Sequence, residues 1–190
     1  AAKNSPHLEI FAKKGIEVLL LTDRVDEWVV GNLDEFDGKK VVSVAKGALD
    51  LGNAATDEEK AEQKQAEESG KTAVERIKTV LGEKVAEVRA TARLTESPAC
   101  LVVAENQMSR HLTQMLEAAG AGDRLADDKP ILEINPQHAL IAKIAAEDNE
   151  ERRKDLVELV FDQAVLAEGG KIDNPAVFVK RLNRLLAELG

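Results

Sequence analysis

Three histidines, one cysteine and scattered carboxylates are the side chains of this 190-residue chain that could carry acid–base, nucleophilic or metal chemistry. His7, His111 and His138 stand in no H-x-x-x-H or H-E-x-x-H relation and have no paired cysteines, so no zinc-type ligand set forms from spacing. His138 falls just after Asn135-Pro136, at a helix start whose dipole disfavours an added proton, which predicts packing or capping rather than catalysis. Cys100 lies inside Ala99-Cys-Leu-Val-Val103 and reads as a buried structural thiol. A single cysteine also excludes an intramolecular disulfide. Asp23, Asp26 and Glu27 could ligate a cation, but carboxylates in a first helical turn ordinarily answer the helix dipole. The turn Leu21-Thr-Asp-Arg-Val-Asp26 has no glycine with which to approach a phosphate. Serine and lysine occur in no activated-nucleophile pattern. The expectation is therefore no catalytic, no cofactor-binding and no metal-binding residue.

Composition narrows the remaining classes. A 44% apolar chain of this length supports a genuine core. A net charge of −9 leaves no basic stripe to displace counterions, and 3% aromatics supply no base-stacking platform, so nucleic acid is not an expected partner. No apolar run reaches membrane-spanning length and no signal peptide is present, which predicts no membrane partner and a cytoplasmic setting. The chain begins Ala-Ala-Lys-Asn without Met, as expected of a fragment.

The elements follow from periodicity. Residues 6–14 predict a short helix stopped at Gly15. Ile16-Glu-Val-Leu-Leu-Leu21 predicts a strand covered on both faces, because apolar residues continue without alternation. A helix capped at Thr22-Asp23 and running to about Leu33, then a strand at Val41-Val-Ser-Val-Ala45, completes a βαβ unit. Residues 57–71 are nearly all charged, Gln or Ala, and Thr56 with Glu59 predicts a capping box at a helix start. The charge run reads as a solvated face, with core spacing only from Val74, Ile77, Val80 and Leu81. Ala86 to Leu94 alternates with Glu87, Arg89, Thr91 and Arg93, predicting a strand with one wet face. Ala99–Val103 and Ile131–Ile134 predict two more strands, and Asn135-Pro136 opens a helix to about Ala146. The expected fold is α/β + α+β: a small βαβ layer over 1–52, then an α+β domain over 53–190. That second domain has a mixed three-stranded sheet and a C-terminal helical hairpin.

Two amphipathic segments could make function without chemistry. In the hairpin, a helix from about Arg152 to Ala167 ends at Gly169-Gly170, and a second opens at Asn174-Pro175. Leu156, Leu159, Val160, Gln163 and Leu166 form one stripe of the first helix; Val157, Phe161, Ala164 and Val165 form another. Phe178, Leu182, Leu185 and Leu189 recur on the second helix, with Val179 and Leu186 beside them. One stripe suffices to dock a helix on its own domain, so two predict a further surface to bury, most economically in a second copy. A helix over about 106–119 carries a narrow stripe of Met108, Leu112, Met115 and Leu116. That stripe either packs on the sheet or stays open to grip apolar segments, for which methionine is suited. Trp28, beside Val29 and Val30, reads as core. A different class also fits: a small-molecule-binding or catalytic α/β domain with a helical dimerisation tail, its pocket at the strand ends near Asp23 and Arg24.

Several stretches resemble ninety-kilodalton heat-shock chaperones, nearest the bacterial branch. Asn4-Ser-Pro-His-Leu-Glu9, Glu17-Val-Leu-Leu-Leu21 and Glu35-Phe-Asp-Gly-Lys-Lys-Val-Val-Ser-Val44 are similar to the end of the family's middle domain. Leu132-Glu-Ile-Asn-Pro-Gln-His138 and Asp162-Gln-Ala-Val-Leu-Ala-Glu-Gly169 are similar to its C-terminal domain. The similarity runs in order along nearly all of the chain. The resemblance implies a homodimerisation and client-contact module of an ATP-dependent chaperone, its hairpin joining a second copy in an intermolecular four-helix bundle. It implies that Trp28, Met108, Leu112, Met115 and Leu116 face unfolded or partly folded clients across a cleft. ATP and Mg belong, by the same resemblance, to another domain of the full-length protein, so this chain should not hydrolyse ATP. Its end, Ala187-Glu-Leu-Gly190, lacks the family's acidic tail, so no acidic-tail cochaperone is expected.

Overall fold

The structure is a computed structural model that describes residues 2–21, 23, 25–47, 57–104, 107 and 129–188, apart from the side chains of residues 2, 27, 28 and 59. A central sheet of three short strands, β3 (Glu87–Ala90), β4 (Ala99–Val102) and β5 (Ile131–Ile134), organises the molecule. Its order is β3-β5-β4, with β3 parallel and β4 antiparallel to β5. The mixed three-stranded sheet read from the sequence is thus present. Because β5 lies in the middle, Leu132, Glu133 and Ile134 are all buried. Alternation then sorts the residues by face. Val88, Ala90, Ala99, Leu101, Leu132 and Ile134 join the main core, while Cys100 and Val102 pack with Leu94 and Ile131 on the other side.

Helices cover the first face. α3 (Asp57–Leu81) is solvated over its early turns, as the charge run predicts. It meets the sheet through Ala66, Gly70, Ala73, Ile77 and Leu81, small residues at the start of the stripe and large ones at its end. Gly70 is where α3 comes closest. A Cβ there would stand 2.7 Å from the Ala90 Cβ and 2.9 Å from the Pro136 Cγ. α4 (Ala139–Ala146) and α5 (Glu150–Ala167) complete the layer with Ile141, Ile144, Leu156, Val157, Val160, Ala164 and Val165. α6 (Pro175–Ala187) returns along α5.

Caps depart from the expected positions by a few residues. Asn135 closes a local turn by accepting from the Gln137 N–H at 3.0 Å, and His138 is the actual cap of α4, its Nδ1 accepting from the Leu140 N–H at 3.1 Å. The predicted capping role of His138 holds. Asn149 caps α5, and Asn174 and Pro175 start α6 as expected. Gly169, at φ 72°, ends α5 in the left-handed conformation that side chains avoid.

The N-terminal layer differs most from expectation. α1 (Glu9–Lys14) follows a 3-10 turn at Pro6–Leu8 and stops at Gly15. Residues 16–21 and 41–45 form no strands, and the βαβ unit is not formed. Ile16, Leu19 and Leu21 are exposed, Leu19 by 88%. An apolar run becomes a strand only when a neighbour accepts its backbone hydrogen bonds. Among the described residues these segments find only single bonds and no ladder: the Ile16 N–H turns back to Phe11, the Val41 N–H donates to Asp34, and the Ala45 carbonyl accepts from Val103 at 3.5 Å. α2 is only Asp26–Val30, and the layer's strands are instead β1 (Glu35–Phe36) and β2 (Lys39–Lys40), an antiparallel hairpin. Asp37 and Gly38, at φ 50° and 71°, form its turn, a signal that Asp-Gly carries in the sequence itself.

Candidate functional site

The terminal hairpin is the first candidate, and its two helices use their apolar residues differently. α5 spans the helix-covered face of the sheet, and Asp155 through Val160 are buried without a break. Leu156, Leu159 and Val160, expected at an interface with a second copy, therefore lie inside the protomer, at 3%, 6% and 2% exposure. The double stripe of α5 is consumed by its own domain: the sheet, α3 and α4 all press on it. Gln163 and Leu166 remain exposed. α6 has no fully buried residue. Phe178, Leu182 and Leu185 are half-buried, and Val179 and Leu186 are exposed. Leu189 lies outside the described residues. The open apolar face of the hairpin is thus carried mainly by α6.

A series of ion pairs links α6 to α5, beside the apolar contact of Leu185 with the core. Arg181 reaches Asp155 at 3.5 Å and Asp162 at 3.0 Å. Arg184 pairs with Glu151 at 2.8 Å and makes a close contact with Asp155. Arg152 lies between Glu147 at 3.3 Å and Glu188 at 3.0 Å. Burial raises the Asp162 carboxyl above its ordinary range; Arg181 opposes this and the Glu158 charge reinforces it.

A second constellation, which the sequence reading missed, lies on the other face of the sheet. That face was expected to be wet. Glu133, on the central strand, instead takes two hydrogen bonds at Oε1 from Arg89, at 2.9 and 2.6 Å, and pairs with Arg93 through Oε2. The spare arginine donors hold backbone from the N-terminal layer: Arg93 donates to the Val44 carbonyl at 3.2 Å and Arg89 to that of Gly47 at 2.8 Å. Lys46 bridges to Val103 beside them. Arg89 and Glu133 are direct cross-strand partners, so their opposite charges at alternating positions were the available signal.

His7 and Glu9 fasten the first turns to this face. His7 is buried, with Nε2 3.0 Å from Glu168 and Nδ1 3.3 Å from the Arg93 guanidinium. Burial disfavours a proton on this ring, while the neighbouring Cys100 and Glu168 favour one. Arginine can only donate, so the Arg93 contact requires an unprotonated Nδ1. A tautomer that accepts at Nδ1 carries its proton on Nε2, 3.0 Å from the Glu168 carboxylate, an electrostatic approach outside hydrogen-bond geometry. Glu9 accepts from the backbone N–H groups of Thr95, Glu96 and Ser97 at 2.6 to 3.2 Å.

Of the residues that the resemblance assigns to clients, Trp28 lies on α2, with its side chain outside the description. Met108, Leu112, Met115 and Leu116 lie outside the described residues. Among the described residues, no three His, Cys, Asp or Glu side chains gather where a metal could sit. Two shallow clefts, of about 330 and 270 Å³, flank α3, one lined by Pro136 just past β5 and the other by Arg153. Among the described residues, no helix is long and apolar enough to cross a membrane.

Comparison with known proteins is unequivocal in one respect. A family model described as Hsp90 protein matches residues 1–189. The chain is 61% identical over its whole length to the Chaperone protein HtpG of Chromobacterium violaceum, of which it covers 30%. It is 57% identical over its whole length to the protein of that name from Aromatoleum aromaticum, covering 29% of it. Over 98% of its length it is 55% identical to that of Nitrosococcus oceani, again covering 29%. The chain therefore spans somewhat under a third of the curated relatives it matches.

Proposed function

Because this chain belongs to the Hsp90 protein family, we propose that it joins two copies of a molecular chaperone and contributes to the surface that meets unfolded clients. The observation that carries the reading is the apolar face of α6, where Val179 and Leu186 are half or more exposed and Phe178 and Leu182 only half-buried, beside exposed Leu166 on α5. Such a face on one side of a terminal helix is self-complementary across a two-fold axis, the commonest symmetry of soluble oligomers. A four-helix bundle built from two α5–α6 hairpins is the arrangement it suits, with α6 forming the seam and α5 backing it. Joining two arms this way makes any closure between them intramolecular, at effective concentrations of the order of millimolar.

On this reading the 190 residues associate and hold; they do no chemistry of their own. ATP with Mg would act on another part of the longer protein. Client contact falls to the Met108, Leu112, Met115 and Leu116 stripe and to Trp28, apolar and low in specificity, as polarizable methionine allows. The setting that fits is the bacterial cytoplasm. Among the described residues nothing favours the competing reading, a small-molecule site at the ends of a βαβ layer; Arg24, on which it draws, lies outside them.

Light scattering across micromolar dilution tests the assembly. Twice the chain mass is expected for the native sequence. Leu182→Asp should raise the dissociation constant by roughly two orders of magnitude or more, since an unpaired charge would be buried in the seam. A native chain that scatters as a single copy with full helicity would overturn the proposal.

A further inference from the structure

A helical hairpin ordinarily closes by packing its apolar stripes together, which leaves its charges in water. Here the seam between α5 and α6 carries a ladder of charge. Asp155 and Asp162 on α5 face Arg181 and Arg184 on α6, with Glu151 extending the ladder. Both side chains of the Arg181–Asp155 pair are close to nine-tenths buried. At 100° per residue, Arg181 and Arg184 lie on one side of α6. Leu185 and Phe178 come next round the helix, then Leu182, and Leu186 and Val179 lie farthest from the arginines. Exposure rises from half-buried Leu185, which packs against the core, to Leu186 at 54%, while Val177, on the arginine side near the start of the helix, is also exposed.

This arrangement leaves Leu166, Val179 and Leu186 open within a single chain. Leu166 on α5 is 46% exposed, so an α6 rolled toward it could cover Val179 and Leu186 instead of its arginines. Rolling would strip Arg181 and Arg184 from their carboxylates and leave Asp155 buried without a partner, the costly outcome of breaking a buried ion pair. We propose that Arg181 and Arg184, held by Asp155 and Asp162, are positioning residues: they set the roll of α6 so that its apolar face points outward to meet a second copy. The proposal rests on the self-association reading above, and it adds that the face is kept open by charge.

Two pairs of variants remove the ladder from opposite sides. Arg181→Met with Arg184→Met keeps the long stems and deletes the charges on α6. Asp155→Asn with Asp162→Asn deletes those on α5 and leaves the α6 sequence intact. The first readout is the labelling rate of a thiol placed by Val179→Cys, at concentrations low enough to keep the chain monomeric; Cys100 is fully buried and silent. Either pair should slow labelling at least tenfold, with helicity retained. Arg181→Lys with Arg184→Lys should restore most of the native rate. The second readout is the dimer dissociation constant, expected to rise at least tenfold in both pairs. An unchanged labelling rate in both folded pairs would overturn the proposal. So would a weakened dimer in the arginine pair alone, which would place the arginines across the interface between copies. A native chain that never dimerises refutes the self-association reading, while the labelling rates still decide whether charge sets the roll.

Discussion

Glu9 shows how much one side chain can hold. Three consecutive backbone N–H groups, from Thr95 to Ser97, converge on its carboxylate. Burial works to raise its pKa, but these hydrogen bonds outweigh burial and hold it below the ordinary 4.5. A carboxyl with a lowered folded pKa contributes stability that is present above its unfolded pKa and lost as pH falls through the folded one. Denaturant melts should thus show the native chain weakening below about pH 4.5. Glu9→Gln should cost roughly 1 kcal/mol at neutral pH, a charge-assisted value discounted for partial exposure. The variant should also flatten the acid limb. An acid limb as steep in Glu9→Gln as in the native chain would show that other carboxylates govern it. None of this was legible in Pro-His-Leu-Glu9, because the amides it caps lie almost ninety residues away. His138 was legible, since its cap is local: the ring closes on a backbone N–H two residues on.

At the scale of elements, reach decided what could be read. α6 follows from Asn174-Pro175 and a 3.6-residue period, and both signals are complete within thirteen residues. α3 was readable in its later turns only. Its first contacts with the sheet are made by Ala66, Gly70 and Ala73, whose small size leaves no mark in a hydrophobic pattern yet lets the helix approach β3. Gly70 gives a prediction against the ordinary trend. Gly→Ala within a helix usually stabilises by about 1 kcal/mol. Here the added methyl would lie 2.7 Å from Ala90 and 2.9 Å from Pro136, neither of which is a flexible chain end. Gly70→Ala should instead destabilise by about 1–3 kcal/mol, the usual cost of overpacking. A urea midpoint equal to or above the native one would show that α3 can move outward freely. The strands expected at 16–21 and 41–45 failed for the opposite reason. Their apolar runs are real, but a strand is a property of a pair, and among the described residues they meet isolated backbone bonds rather than a ladder.

Over the whole molecule, the proposed function places assembly and client contact on different surfaces. The α6 face is proposed for a second copy, and the methionine-bearing stripe for clients. Met108→Ser with Leu112→Ser should therefore weaken capture of a fluorescently labelled unfolded client by about tenfold, the loss expected when central apolar anchors are truncated. Twice the chain mass should persist in light scattering. Equal capture would remove the stripe from the client surface. A loss of helicity would return it to the core, the other reading its pattern allows. The two faces of the sheet divide the molecule as well. One is an apolar contact with three helices; the other holds the N-terminal layer through Arg89, Arg93, Glu133 and the two side chains of the first turns.

What the sequence by itself determined is what short-range physics fixes: helix caps, the sheet's three strands and their composition, the apolar periodicity of the hairpin, and the family to which its motifs belong. What only the tertiary structure decided is which of those apolar faces remain available. Leu156, Leu159 and Val160 have the same pattern as the residues of α6, yet they are spent inside the protomer because α5 lies between the sheet and its neighbouring helices. Likewise, the alternation of Glu87, Arg89, Thr91 and Arg93 with apolar residues promised a solvated face, and a distant segment covers it at Arg89 and Arg93. Periodicity fixes the direction in which a side chain points. What it meets there depends on residues far along the chain, which enter only when the fold closes.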